Sequence, residues 1–213
     1  TYFERTKENV MKSVKKEFVK IIAIYSPIHR VGKTSFAIAF GKELAKFKKV
    51  LYLNMEEYFG YGEMFEQIDN GNLGDALYYT KQENGNFGLR LRMLVRTIDE
   101  LDYIPPMPVS LDLKEVLWEE WKVLFKQIVE DSVYEVILLD IGESVQGLLK
   151  MLDLCDRIYM PVLEDDVSQE KMRQYEENLQ KLQLERLMEK TYMFIGLQDI
   201  ENKMRQLVKE EVL

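Results

Sequence analysis

The feature that most constrains this chain lies between residues 20 and 54. A short apolar run, "KIIAIYS" (20–26), is followed by "PIHRV" and then by "GKTS" (32–35). From Lys33 to Phe47 the apolar residues recur at helical spacing, and "KVLYLN" (49–54) is apolar and β-prone again. Strand, loop, helix and strand within ~30 residues make a βαβ unit, which requires parallel strands and a right-handed crossover. A loop between a buried strand and a helix presents unpaired backbone N–H groups at the positive end of the helix dipole, where phosphate binds. Gly32 lets the backbone approach closely, Lys33 brings an ammonium to the β- and γ-phosphates, and Thr34 offers a hydroxyl ligand to Mg²⁺. Ser35 is placed to touch an α-phosphate. The loop therefore predicts a nucleotide site.

The remaining chain alternates in the same way. "LDYI" (101–104), "EVILLDIG" (135–142), "DRIYMPV" (156–162) and "TYMFIG" (191–196) read as strands, with Val95–Leu101 starting as helix. Asp112 and Glu115 resemble a capping box opening a helix to about Glu130, with Leu117, Trp118, Trp121, Leu124, Phe125 and Ile128 as its buried stripe. Residues 168–190 read as one long surface helix, 200–210 as a last helix and 6–19 as a basic amphipathic helix. Strands that are nearly all apolar, alternating with helices, predict an α/β three-layer sandwich with a mostly parallel sheet. The expected organisation is a linker helix over 1–18 and one nucleotide-binding domain over 19–213.

Two acids fall at strand C-terminal ends, the edge where open α/β sheets place their sites. Asp140 ends "VILLD", where a carboxylate can hold Mg²⁺ through water, and Glu56 follows "VLYLN". Gly142 is expected to let the following loop swing towards a γ-phosphate.

Composition excludes more than it selects. A net charge of −8 argues against a surface tuned to nucleic acid. One cysteine, Cys155, permits no intrachain disulfide and is expected as a packed thiol. With one cysteine and no apolar signal segment the chain is expected to be cytoplasmic, and no run approaches transmembrane length. His29 is the only histidine, which removes any His-based metal cluster. Glu164, Asp165 and Asp166 read as helix-capping acids, with Asp166 and Gln169 as the cap, rather than as a metal site. Asn202-Lys203 lacks the aspartate of a guanine signature; Arg90, Arg92 and Arg96 show no lid pattern, and a nucleoside monophosphate kinase stays open only as the lesser alternative, a fold-level analogy. The terminal "ENKMRQLVKEEVL" has a narrow apolar face and reads as a core or surface helix, not a membrane one.

Three segments, "YSPIHRVGKTS", "KVLYLNMEEYFG" and "VILLDIGESVQGLLKMLDLCDRIYMPV", resemble the deviant Walker A ATPases typified by MinD and ParA. Within that family the chain looks most like the TadZ/CpaE-type branch linked to pilus localisation, over about residues 19–198. The resemblance implies a P-loop ATPase that uses ATP/ADP and Mg²⁺, forms a nucleotide-dependent homodimer, and works with protein partners in positioning systems of pilus, septum or chromosome-partitioning type. An upstream receiver-like domain and a bacterial, polar location are further implications. His29, Arg30, Val31, Gly32, Lys33, Thr34 and Ser35 would bind nucleotide, and Thr34 and Asp140 the metal. Lys33, Glu56, Asp140 and Arg30 would carry hydrolysis. The chain departs from the family pattern K-G-G-x-G-K-T, whose two glycines fall on His29 and Arg30 and whose signature lysine falls on Ile28. Its acidic pair falls on Asn54 and Glu56, and Gly142 replaces the usual proline after Asp140. Binding rests on backbone, Lys33 and Thr34, so these departures bear on hydrolysis, and a non-hydrolysing scaffold of the same fold is the alternative expectation.

Overall fold

The computed structural model describes residues 19–60, 71–82, 86–195 and 200–212, so the helix expected over 6–19 lies, up to residue 18, outside the described residues. Among the described residues seven strands form one sheet: β1 (Lys20–Ile24), β2 (Val50–Met55), β3 (Arg96–Ile98), β4 (Leu101–Ile104), β5 (Val136–Ile141), β6 (Arg157–Val162) and β7 (Thr191–Ile195). Their order is β3-β4-β2-β5-β1-β6-β7. All neighbours are parallel except β3, which runs antiparallel to β4 at the edge.

Because side chains alternate along a strand, the sheet sorts its residues into two cores. Ile22 and Ile24 of β1, Tyr52 of β2 and Leu138 of β5 face α1 (Lys33–Ala45) and α9 (Ile200–Val212). Ile21, Ala23, Leu51, Leu53, Ile137 and Leu139 face the other layer. That layer holds α2 (Leu73–Thr80), α3 (Phe87–Leu94), α4 (Ser110–Glu115), α5 (Trp118–Asp131), α6 (Leu148–Leu154), α7 (Asp166–Lys181) and α8 (Arg186–Glu189). The α1 layer is locked by aromatics: Phe36 stacks on Phe40 at 5.5 Å and packs on Phe194 at 4.5 Å, and Phe40 meets Tyr159 edge-on at 5.1 Å. Each such buried ring stabilises the layer by roughly 1.5–3 kcal/mol. The C-terminal helix belongs to this core through Met204, Leu207 and Val208, as a core helix should. No described helix is long and apolar enough to cross a membrane.

The structure corrects several local expectations. Residues 96–98 are strand, not helix, because Asp99 and Glu100 both take positive φ (45° and 68°) in a two-residue loop that folds β3 onto β4. Such loops usually signal themselves with Asn-Gly, and this one does not. Asp112 and Glu115 do not cap the tryptophan helix. The chain breaks at Val116–Leu117, and Glu120 accepts the Leu117 N–H at 2.9 Å to cap α5. Leu117 is therefore exposed, while Trp118, Trp121, Leu124, Phe125 and Ile128 are buried.

The cap of α7 is Asp165 rather than Asp166; its carboxylate accepts the Ser168 N–H at 3.0 Å and the Ser168 hydroxyl at 2.6 Å. The helix expected over 168–190 ends at Lys181 in a Schellman motif, with Leu184 N–H donating to Leu179 and Gln183 N–H to Gln180. Gln183 holds the left-handed position (φ 57°) that a glycine would have announced. Cys155 is buried with its thiol against the Met151 carbonyl, a packed thiol as expected.

Candidate functional site

The sheet brings the C-terminal ends of β1, β2 and β5 side by side. In register, Ile24 pairs with Asp140, and Asp140 with Asn54. Asp140 shares its strand face with Leu138, and Asn54 with Tyr52, so all point to the α1 side, where the Gly32-Lys33-Thr34 turn begins the helix. Gly32 is in the left-handed region (φ 76°, ψ 24°), a conformation that glycine adopts without strain. A cleft of about 490 Å³ opens there, lined by Ser26 and Ile28–Ser35 from the loop, Glu56–Tyr58 after β2, and Glu143 and Ser144 after β5. The nucleotide-binding residues expected from sequence thus share one wall.

Lys33 does not point into empty space. Its Nζ sits 2.5 Å from Glu56 Oε1, donates to the Ile141 carbonyl at 2.7 Å, and lies 5.8 Å from the centre of the Tyr25 ring. The Ile141 carbonyl and Tyr25 are partners that the sequence reading missed, and neither carries a motif signal.

Asp140 is fully buried. Its Oδ2 accepts the Tyr52 hydroxyl at 3.0 Å and the Asn54 amide at 3.4 Å, and the same amide donates to the Tyr52 oxygen at 2.9 Å. Its Oδ1 is enclosed with no hydrogen-bond partner. Burial pushes the carboxyl up to about 6; Lys33 opposes the rise, Glu56 adds to it, and the Thr34 and Tyr52 hydroxyls oppose it more weakly. Burial, and then the Asp140 charge, hold the Tyr52 phenol protonated and thus a donor. An unpartnered, enclosed carboxylate oxygen beside a threonine hydroxyl at a helix start is a donor set that fits a hard divalent cation. Among the described residues, no group of three His, Cys, Asp or Glu side chains could hold a metal by itself, and the 164–166 acids are not such a site.

The first half of the loop is altered in kind. Ile28 is 5% exposed, and its N–H donates to Ser26 Oγ at 3.1 Å. Arg30 takes φ 61°, the left-handed region, where a residue with a Cβ costs roughly 1–2 kcal/mol. It occupies a position where the resembled pattern has glycine, and its φ lies in the region that glycine adopts without strain. His29 Nε2 lies 3.5 Å from Glu143 Oε2 across the cleft.

Gly142 is not a swing point. Its N–H donates to the Met55 carbonyl at 3.1 Å, and a Cβ there would lie 2.8 Å from that oxygen and 3.0 Å from Glu56 Oε2. Close approach of β5 to β2, rather than mobility, is what requires glycine. The two loops are also tied to α4: Lys114 pairs with Glu57 at 3.0 Å, and Gln146 donates to the Lys114 carbonyl at 2.7 Å. Arg90, Arg92 and Arg96 do not line the cleft; Arg90 lies over the Tyr79 ring, 4.8 Å from its centre.

No protein-family model and no curated protein matches the chain. Solved structures do. A ParA family ATPase from Chlorobium tepidum matches with a TM-score of 0.65 at 17% identity, over 91% of this chain and 80% of that one. A Borrelia burgdorferi plasmid partition protein bound to AMPPNP matches with a TM-score of 0.64 at 20% identity, over 91% and 84%. A chain of the MinC:MinD cell division complex of Aquifex aeolicus matches with a TM-score of 0.60 at 18% identity, over 91% and 73%. With a parallel three-layer architecture and a glycine-lysine-threonine turn opening α1, the chain has the fold of the MinD/ParA-type P-loop NTPases.

Proposed function

We propose that the chain binds ATP and ADP with Mg²⁺ in the cleft and works as a slowly hydrolysing, nucleotide-dependent dimer switch of MinD/ParA type. The observation that carries this reading is the left-handed Gly32 turn, which sets Lys33 and Thr34 against the buried Asp140 and its unpartnered Oδ1. Backbone N–H groups at the start of α1 would hold the phosphates, helped by Lys33. Thr34 and Asp140 would hold the cation, whose contribution is to neutralise phosphate charge. Glu56 would orient the attacking water once Lys33 releases it, and Arg30 would add positive charge at the cleft mouth.

Within the same proposal, the domain spans 19–213 and works at the cytoplasmic side of a bacterial positioning system. The TadZ/CpaE-like segments favour a role in pilus localisation, with protein partners and an upstream receiver-like domain.

A second reading, a scaffold that binds nucleotide without hydrolysing it, is favoured by one observation. A buried Ile28 stands where the resembled family carries its signature lysine. The two readings part in experiment. Calorimetry with Mg-ATP should give saturable binding that Lys33→Ala abolishes, and light scattering should show a mass doubling with Mg-ATP. Binding without phosphate release selects the scaffold. No binding to the wild type overturns both.

A further inference from the structure

Tyr52 is a polar group in the middle of a strand whose other residues, Asn54 apart, are apolar, and it is completely buried. A phenol placed there solely to fill space would be replaced at no loss by phenylalanine, yet its hydroxyl is engaged twice. It donates to Asp140 Oδ2 at 3.0 Å and accepts the Asn54 amide at 2.9 Å. Asn54 is 1% exposed, its amide also reaches Asp140 Oδ2 at 3.4 Å, and its Oδ1 accepts the Glu56 N–H at 3.0 Å. Both donors converge on one carboxylate oxygen and leave the other, Oδ1, with no hydrogen-bond partner. Leaving a buried carboxylate oxygen unpaired is costly unless something else satisfies it.

We propose that Tyr52, braced by Asn54, is a positioning residue that fixes the Asp140 rotamer so that Oδ1 is presented to the divalent cation held with Thr34. This deepens the nucleotide-binding reading and rests on it. The arrangement gives Asn54 a purpose that its loss of charge hides. In this chain the amide is not a missing acid but the second member of a donor chain behind the metal carboxylate. Partners behind a ligand of this kind change metal affinity by about 10- to 100-fold when removed.

The test compares ATP affinity by calorimetry in excess Mg²⁺ and in EDTA. For the wild type, Mg²⁺ should tighten ATP binding, and Thr34→Ala should erase that gain. Tyr52→Phe keeps the ring and its packing; it should cut the Mg²⁺-dependent gain about ten-fold while changing affinity in EDTA less than about two-fold. Asn54→Ala leaves the phenol in place and should cut the gain by a smaller factor, with the same silence in EDTA. A Tyr52→Phe protein that folds and keeps the full Mg²⁺ gain overturns the proposal while leaving the nucleotide site standing. A loss equal in Mg²⁺ and EDTA also overturns it, since that is the signature of general damage. If Tyr52→Phe does not fold, the Asn54→Ala ratio decides. A wild type that binds no ATP in either buffer overturns this proposal together with the reading it rests on.

Discussion

Lys33 and Glu56 form an ion pair at 2.5 Å inside the cleft, with both side chains mostly shielded from solvent. The lysine that should meet phosphate is therefore already neutralised by an acid from the end of β2. Phosphate binding must compete with this contact. Glu56→Gln removes the competing charge and one source of repulsion toward phosphate. We expect Glu56→Gln to bind ATP about three- to ten-fold more tightly, within the range of a partly buried charge pair, with phosphate release no faster. Calorimetry alongside a phosphate-release assay checks both halves; weaker binding would mean that Glu56 supports the site rather than blocking it.

Asp140 should make the metal-free protein less stable at neutral pH. Its folded-state value of about 6 lies above the ordinary 3.8. Below pH ~3 the group is neutral in both states. As pH rises from about 3 to 6 the unfolded chain ionises first, so stability falls, and the deficit persists above 6. Its full size is about 3 kcal/mol at most. Asp140→Asn should therefore be more stable than wild type by about 1–3 kcal/mol at pH 7 in EDTA and equal to it at pH ~3. Urea unfolding at the two pH values measures the difference. Mg-ATP should stabilise wild type more than Asp140→Asn, which keeps the phosphate-binding backbone and Lys33 but loses a metal ligand.

Arg30 holds a glycine conformation without being glycine. Arg30→Gly relieves the left-handed strain but adds freedom to the unfolded chain, which offsets part of the gain. The expected net change is between zero and about 1 kcal/mol of added stability. A loss above about 1 kcal/mol in chemical denaturation would show that the guanidinium is anchored in the cleft.

Gly142→Ala should be destabilising despite being small. The added methyl meets the Met55 carbonyl at 2.8 Å and Glu56 Oε2 at 3.0 Å, one of them backbone and unable to rotate away. A cost of about 1–3 kcal/mol is expected, with Glu56 displaced from Lys33. A thermal melt shows the first effect, and ATP affinity tighter than wild type shows the second.

What the sequence determined was everything written in local pattern. The strand, glycine-lysine-threonine turn, helix and strand at 20–54 are legible because burial, periodicity and turn chemistry all agree within one short segment. Asp140 and Glu56 are legible for the same reason, as acids closing apolar strands. Where the local signal is weak, the structure departs from the sequence pattern by small steps. The Asp99-Glu100 turn and the Gln183 helix end use non-glycine residues at positive φ, so no residue type announces them. The cap moved from Asp166 to Asp165 because adjacent acids are equivalent until the chain's path is fixed.

Only the tertiary structure decided what the site's residues do to one another. Tyr52 and Asn54 lie 88 and 86 positions from Asp140 in the chain, and they meet it because β2 pairs with β5 in one register. A slip of one residue would turn all of them to the opposite face. The Lys33–Glu56 pair likewise joins the loop after β1 to the end of β2, across the β5 strand that lies between them. Sequence places each group at the end of its strand; the order and register of the strands decide which charges meet.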